Sequence, residues 1–396
     1  MTKNLINLIR ELNFLTLKNK SRTHFWLFLL VLVTTLISDQ VALRELTELH
    51  TTSSLVTNFF FIPIYNRTHL KGSSYSLTNG ATNNVATSRS IVSVPNAQAS
   101  DDINKLNPWF ITGLVDAEAC FAIKLAISKT QKIGWVVHHT FQLGLHEKDR
   151  VLLEQIRNHL GVGNLYKLGK NAIEYRVSSI KDLMVIVNHF EKFPLITQKS
   201  ADFELWKKAL KLVLDKEHLT IEGLHKILSI KASMNWGLSD QLRESFPDIV
   251  PVKRPVVLDQ EIRDPDWLAG FVSGEGCFFI QMASSSTYRT GFQVKLIFQV
   301  VQHVKDEALL RNIINYLDCG KLSKNRDTFQ FVVQKFSDIE NKILPFFSRH
   351  RIKGVKSEDL ADWCEVAELI RNKAHLTEEG LDQIRAIKVG MNSMRS

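Results

Sequence analysis

Two glutamates are the residues of this chain best placed to do chemistry. Glu118 and Glu275 each end a short apolar segment, Trp109–Glu118 and Trp267–Glu275, and each follows a small residue, Ala117 or Gly274. A second small residue lies four positions before that one, Gly113 and Gly270. Residues four apart share one helical face, so each segment reads as a helix with a flat stripe that lets another backbone approach closely. If the two helices pack through their stripes, the carboxylates lie side by side at the base of the pair. There each opposes the helix macrodipole and repels the other. An arrangement so unfavourable, made twice, points to divalent cations. Hard ions such as Mg²⁺ take oxygen ligands and keep several waters, so few protein carboxylates are needed when phosphate oxygens complete the shell. Metal-assisted phosphodiester hydrolysis is the reaction such a site serves. The competing reading is that both acids cap helices and meet solvent.

An internal repeat weighs against the idle reading. At an offset of 157 residues, Gly113 matches Gly270, Glu118 matches Glu275 and Cys120 matches Cys277. The same offset carries His146, Lys148 and Asp149 onto His303, Lys305 and Asp306, and Lys199-Ser200 onto Lys356-Ser357. It still holds for Trp206 with Trp363, His218-Leu219-Thr220 with His375-Leu376-Thr377, and Met234-Asn235 with Met391-Asn392. Two similar half-domains related by a pseudo-twofold axis follow from this, and with them a symmetric or nearly symmetric target.

The elements alternate in the same order in both halves. Asn107 and Asp264 are good N-caps, and the prolines after them suit the first helical position. Alternating strands come next: Phe121, Ile123, Leu125 and Ile127 against Ala122, Lys124, Ala126 and Ser128, then Phe292, Val294, Leu296 and Phe298 against Gln293, Lys295, Ile297 and Gln299. Helical segments are expected near 147–160 and 306–317, short strands near 164–178 and 321–335, and helices close each half. A sheet with helices on one face and a polar opposite face makes an α+β half-domain.

Composition is that of a globular chain, 44% hydrophobic and 23% charged. The formal charge of +9 favours a polyanionic partner. Residues 1–100 hold 9 Lys/Arg and 4 Asp/Glu, which leaves 41 basic and 37 acidic residues for the remainder. The folded part is therefore only mildly basic and must gather its basic residues on one face. Cys120, Cys277, Cys319 and Cys364 form no C-x-x-C pair and have no histidines at zinc-ligand spacing, so free, packed thiols in a reducing compartment are expected.

The first hundred residues differ in character. A basic start leads into the apolar run Phe25–Ile37, shorter than the roughly 18 residues needed to span a bilayer and compatible with an interfacial helix, a core helix or a signal-type region. Ser73–Ser100 is rich in Ser, Thr, Asn and Ala and reads as a flexible linker. We divide the chain into an N-terminal extension (1–100), a first half-domain (101–250), a linker (251–263) and a second half-domain (264–396). Membrane association of the extension, and its origin as an upstream reading frame translated in fusion, both stay open.

The segments Phe110–Cys120 and Trp267–Cys277 resemble the two LAGLIDADG motifs of single-chain homing endonucleases from organellar group I introns. The likeness extends through Phe190–Lys199, Met234–Leu238, Gln302–Asp306, Lys335–Asp338 and His375–Leu381, and covers about residues 104–394. The resemblance implies two αββαββα halves whose antiparallel sheets form a saddle along the major groove of double-stranded DNA, in a mitochondrial monomer that cuts both strands with Mg²⁺ or Mn²⁺. It places Glu118 and Glu275 on metal-binding positions, with the carbonyls of Ala117 and Gly274 as further ligands, and Gln302 and Lys335 on peripheral active-site positions. Lys335 can offset charge on a pentacovalent phosphorane and Gln302 can orient water. In the first half Leu145 stands where Gln302 would be, Ser179 where Lys335 would be, and Ala119 replaces the motif's final glycine, which Gly276 keeps. Strand cutting is therefore expected to be unequal or slower.

Sequence reading is expected from the polar face of the strands, where Lys and Arg reach guanine edges and Gln reaches adenine. The candidates are Lys124, Gln142, Lys167 and Arg176 in the first half. Gln281, Gln293, Lys295, Lys321, Lys324, Arg326 and Gln330 serve in the second. If each half covers about one helical turn, roughly 10 bp, the site is near two turns long. The alternative function is an RNA-binding maturase that uses the same saddle to help its own intron RNA fold, alone or in addition.

Overall fold

The computed structural model describes residues 106–392. The apolar run at 25–37, the Ser/Thr/Asn-rich stretch and the expected domain start at Asp101 lie outside the described residues. Among the described residues no helix is long and apolar enough to cross a membrane.

Each half opens with the expected capped helix. Asn107 accepts from Trp109 N at 2.9 Å and starts α1 (Pro108–Glu118), and Asp264 accepts from Asp266 N at 2.8 Å and starts α7 (Pro265–Glu275). In the first half β1 (Ala119–Ile127), β2 (Trp135–His146), α2 (Arg150–Leu160), β3 (Asn164–Leu168), β4 (Ala172–Val177) and α3 (Ile180–Lys192) follow, closed by α4 (Lys199–Leu214), α5 (Ile221–Ala232) and α6 (Asp240–Ser245). The second half repeats the plan with β5 (Gly276–Ser284), β6 (Phe292–His303), α8 (Glu307–Leu317), β7 (Lys321–Asn325) and β8 (Thr328–Val333). A helical run, α9, joins Phe336–Asp338, Ile339–Ile343 and Leu344–Arg349; α10 (Lys356–Arg371) and α11 (Glu378–Val389) end it. Two antiparallel four-stranded sheets result, ordered β1-β2-β4-β3 and β5-β6-β8-β7. The molecule is thus the α+β pair of pseudo-symmetric halves that the repeat predicts.

Alternation decides what each sheet buries. Phe121, Phe141 and Tyr175 face the helices in the first half, as Phe278, Phe298 and Phe331 do in the second. The halves reuse the same ring contacts: Phe121 meets Phe190 edge-on at 5.7 Å, and Phe278 meets Phe347 edge-on at 5.8 Å. Ile127, assigned to the inward row by alternation, is 64% exposed at the end of the edge strand β1.

The offset of 157 slips by one residue locally, and the slip has a visible structural cost. The β3–β4 turn spans three residues (169–171), whereas the β7–β8 turn spans two, Arg326 and Asp327, with Arg326 in the left-handed region at φ 51°. The lost residue is regained inside α9, where Ile339–Ile343 winds as a π-helix while its counterpart α3 is a regular α-helix. One extra residue accommodated without breaking a helix is what a π-bulge is.

Between the halves, residues 251–263 form neither helix nor strand but are strapped down. Arg254 holds Asp202 and the carbonyls of Gln198 and Ser233, and buried Gln260 bridges Ile196 O at 3.0 Å and Asp306 Oδ1 at 2.7 Å.

One core position breaks the apolar pattern. His139, 2% exposed, pairs with Ile123 where the second half pairs Leu296 with Ile280, and neither ring nitrogen has a hydrogen-bond partner. Burial, aided by the neighbouring His218, pushes its pKa down to about 4. A base depressed in the folded state contributes fully above its unfolded pKa near 6.5 and loses that contribution as pH falls to about 4, roughly 3 kcal/mol in all. His139→Leu should therefore raise Tm at pH 5 and flatten the acid side of the stability profile. His189, also held near 4 by burial, keeps a residual slope. An unchanged Tm at pH 5 would mean that His139 is not buried as a neutral ring.

Candidate active site

α1 and α7 meet face to face through the predicted stripes. A Cβ on Gly113 would overlap the Trp267 carbonyl, and one on Gly270 would overlap the Phe110 carbonyl, so each glycine is the contact that the other helix's backbone rests on. At the lower end, a Cβ on Gly274 would lie against the Ala117 methyl and 3.2 Å from Oε1 of Glu118. Glu118 therefore reaches across to the C-terminal end of α7, next to Glu275. The two acids are thus brought to the same end of the helix pair, near enough for the charge of Glu118 to act on Glu275.

Their electrostatics agree with the geometry. Glu275 is pushed up to about 7, first by burial and then by the charge of Glu118; a hydrogen bond from Gln302 and the charges of Lys199 and Lys356 oppose the shift. Glu118 opens to solvent by its accessible surface, yet the walls of the cleft still desolvate its carboxylate and raise its pKa, against Lys199 and Lys356.

The two lysines were not among the residues predicted from sequence. Lys199, at the first turn of α4, donates to Val115 O at 2.9 Å and Ala117 O at 3.1 Å. Lys356, at the first turn of α10, donates to Gly274 O at 2.7 Å and to Gly276 O. Each ammonium sits under the C-terminal end of its seam helix, where it completes orphan carbonyls and offsets the negative dipole end. Burial lowers both lysine pKa values, and the two glutamates hold them up. The Ala117 and Gly274 carbonyls, expected as metal ligands, thus already accept from lysine; a carbonyl has two lone pairs, so one remains on each. The repeat of Lys-Ser was visible in sequence, but a lysine opening a helix ordinarily reads as a solvated residue.

Asp116 locks the C-terminal turn of α1 to its surroundings. It accepts from Ile196 N (3.0 Å), Thr197 N (3.2 Å), Thr197 Oγ1 (2.6 Å) and, from the other half, Trp267 Nε1 (2.9 Å). Burial nonetheless carries its pKa to about 6. Ser273 holds the mirrored place and accepts from Lys353 N at 3.2 Å.

The peripheral positions divide. Gln302 hydrogen-bonds the Glu275 carboxylate, a contact the sequence reading did not specify. Lys335 is the exposed N-cap of α9, 3.7 Å from Asp338, and is not among the charges acting on either glutamate. Ser179 is the matching N-cap of α3 and Leu145 is packed against the core, so the two halves differ as expected. Among the described residues no group of three acids, histidines or cysteines converges on one point.

Register sorts the candidate reading residues, because partners across antiparallel strands share a face. Lys124, Gln142 and Arg176 lie on the open face of the first sheet, and Gln281, Gln293, Lys295, Lys321 and Gln330 on that of the second. Arg326 occupies a turn. Lys167 and Lys324 are corrections: Lys167 pairs with Ile173 and Lys324 with Phe329, which puts both on the helix-covered side. Lys324 lies over the Phe329 ring at 5.8 Å. The open rows also hold His138, Asn164, Tyr166, Gln299, Ser323 and Thr328, which the same alternation could have found.

A duplicated α+β chain with paired acids at a helix seam defines a class, and the comparisons place it. The family model for the LAGLIDADG endonuclease matches twice, over residues 111–210 and 268–367. The chain belongs to the LAGLIDADG endonuclease family. It is 41% identical over 285 residues to the probable intron-encoded endonuclease 3 of Neurospora crassa, covering 71% of this chain and 53% of that protein. It is also 41% identical to the probable intron-encoded endonuclease 2 of the same fungus, over 72% of this chain and 64% of that one. The chain thus spans between half and two thirds of the length of these relatives. The crystal structure of the I-SmaMI LAGLIDADG homing endonuclease bound to cleaved DNA superposes with a TM-score of 0.72 at 44% identity, covering 74% of this chain and 99% of that one.

Because the seam contacts are to backbone carbonyls, which cannot swing aside, Gly270→Ala should destabilise by about 3 kcal/mol, the upper end of the range for overpacking. Urea unfolding would show a lower midpoint. A midpoint equal to that of the wild type would mean the helices do not touch there.

Proposed function

We propose that the chain is a homing endonuclease that hydrolyses phosphodiester bonds on both strands of a long, nearly twofold DNA site, acting as a monomer with Mg²⁺ or Mn²⁺. The observation that carries this reading is the meeting of Glu118 and Glu275 at the base of a glycine-packed helix pair. The donor set fits a hard cation: two carboxylates that repel each other and two carbonyls with a free lone pair, leaving the rest of the shell to water and phosphate. Glu118, Glu275 and the carbonyls of Ala117 and Gly274 would hold it. When bound, such an ion acidifies the attacking water and polarises the phosphate.

The chain's own residues prepare the rest. Lys199 and Lys356 fix the helix ends and supply positive charge near the developing phosphorane. Gln302 holds the Glu275 carboxylate and can orient water, while Lys335 offers charge from the rim. Leu145 and Ser179 give the first half neither function, so the two strands should be cut at unequal rates. The open-face rows read base edges, and the halves at 101–250 and 264–396 each cover one turn. Intron-encoded relatives fit a role in intron mobility and a mitochondrial site of action. The paired acids favour cutting over a purely RNA-binding role.

The test uses a plasmid carrying a duplex recovered by selection from randomised DNA. Wild type with Mg²⁺ should linearise it through a nicked intermediate. Glu275→Gln should lose at least about a hundredfold in rate, since even outer-shell changes cost 10- to 100-fold in metal affinity or activity. Cutting should rise as pH passes through about 7, because Glu275 must shed its proton to bind a cation. Undiminished cutting by Glu275→Gln, or cutting without divalent ions, contradicts the assignment.

A further inference from the structure

A buried acid on the open face of the first sheet is out of place on a surface meant for a polyanion. Glu174, in β4, is 8% exposed, and its neighbours in the row are Gly144 on β2 and Tyr166 on β3. Its Oε1 accepts from Arg176 Nε at 2.5 Å and stands equally close to Arg176 Nη2. The guanidinium carbon of Arg176 lies 4.9 Å from the centre of the half-exposed Tyr166 ring. The arginine is therefore fixed twice: one edge of its fork by a carboxylate, and its position over the sheet by a ring.

This leaves one edge free. With Nε and one Nη2 proton on Glu174, the end formed by Nη1 and the second Nη2 proton keeps two parallel donors. Two acceptors on one base edge, O6 and N7, are presented in the major groove by guanine alone. We infer that Arg176, held by Glu174 and Tyr166, reads a single guanine in the half-site bound by the first sheet, an inference that rests on the DNA-cutting reading above. Arg176 makes the contact; Glu174 and Tyr166 are positioning residues. Holding the fork in place before binding removes the ordering cost that a free arginine would meet.

The second half lacks the device. At the corresponding sheet positions, Val332 pairs with Gln299 and Lys321 as Arg176 pairs with Gln142 and Asn164; Gln330 stands for Glu174, and Ser323 for Tyr166. The guanine should thus have no counterpart at the mirrored position of an otherwise nearly symmetric site.

The experiment selects bound duplexes from a randomised pool roughly 20 bp long, about two helical turns, with Ca²⁺ in place of Mg²⁺, for wild type and four variants. Wild type should prefer guanine at one such position by roughly tenfold or more. Arg176→Ala should erase that preference and leave the rest of the profile intact. Glu174→Gln should weaken it several-fold at that position only; Tyr166→Ala should do likewise and Tyr166→Phe should restore it. A merely structural role for the pair would lower binding to all sequences alike. Retention of the guanine preference by Arg176→Ala, or a wild-type profile without it, overturns this inference while leaving the nuclease reading standing. Failure of the wild type to select any duplex overturns both.

Discussion

Everything in this molecule follows from two helices that touch through their backbones. Gly113 and Gly270 exclude side chains from the crossing, so each helix rests on the other's carbonyls, and the ends of both helices are brought within a side chain's reach of each other. Close approach has an electrostatic price: it aligns two negative dipole ends and two carboxylates. Two half-buried lysines, Lys199 and Lys356, answer the dipoles through the carbonyls, and Gln302 answers Glu275 directly. What they leave unanswered is the burial of the Glu275 carboxylate and, behind it, the charge of Glu118, which together keep Glu275 near 7. Under the proposed nuclease reading, a site tuned in this way is stable enough to fold and would still favour an added cation.

The rest of the fold holds that seam in register. Asp116 ties α1 to the loop before α4 and to Trp267 in the other half, and Asp306 with Gln260 ties the second half back to Ile196 and Gln198. Because β1 and β5 begin at the residues directly after the glutamates, the open faces of both sheets are positioned by the same contacts that position the acids. Where the molecule would cut and what it would read are therefore mechanically one unit.

The helices, strands, duplication and acid pair could be read from the chain because each has a period: small residues four apart, apolar residues two apart, and a repeat at 157. Reading failed where periodicity carries no contrast. β3 and β7 are five-residue edge strands largely exposed on both faces, so polarity could not tell Lys321 from Lys324, and Lys167 and Lys324 were placed on the wrong side. Lys199 and Lys356 were missed for a related reason: their hydrogen bonds go to helix ends far away in sequence, not to their neighbours. The π-helix at Ile339–Ile343 compensates a one-residue turn difference some distance earlier, a relation visible only once both ends are anchored.

The central claim is that the two carboxylates share one electrostatic environment, and the Glu275 titration measures it directly. Carbon-13 chemical shifts of its side-chain carboxyl, followed against pH in the wild type and in Glu118→Gln, should give a midpoint near 7 that falls when the neighbouring charge is removed, with burial keeping it above an ordinary glutamate. A midpoint near that of a solvated glutamate in the wild type, or one indifferent to Glu118→Gln, would show that the acids do not meet and would remove the basis of the account.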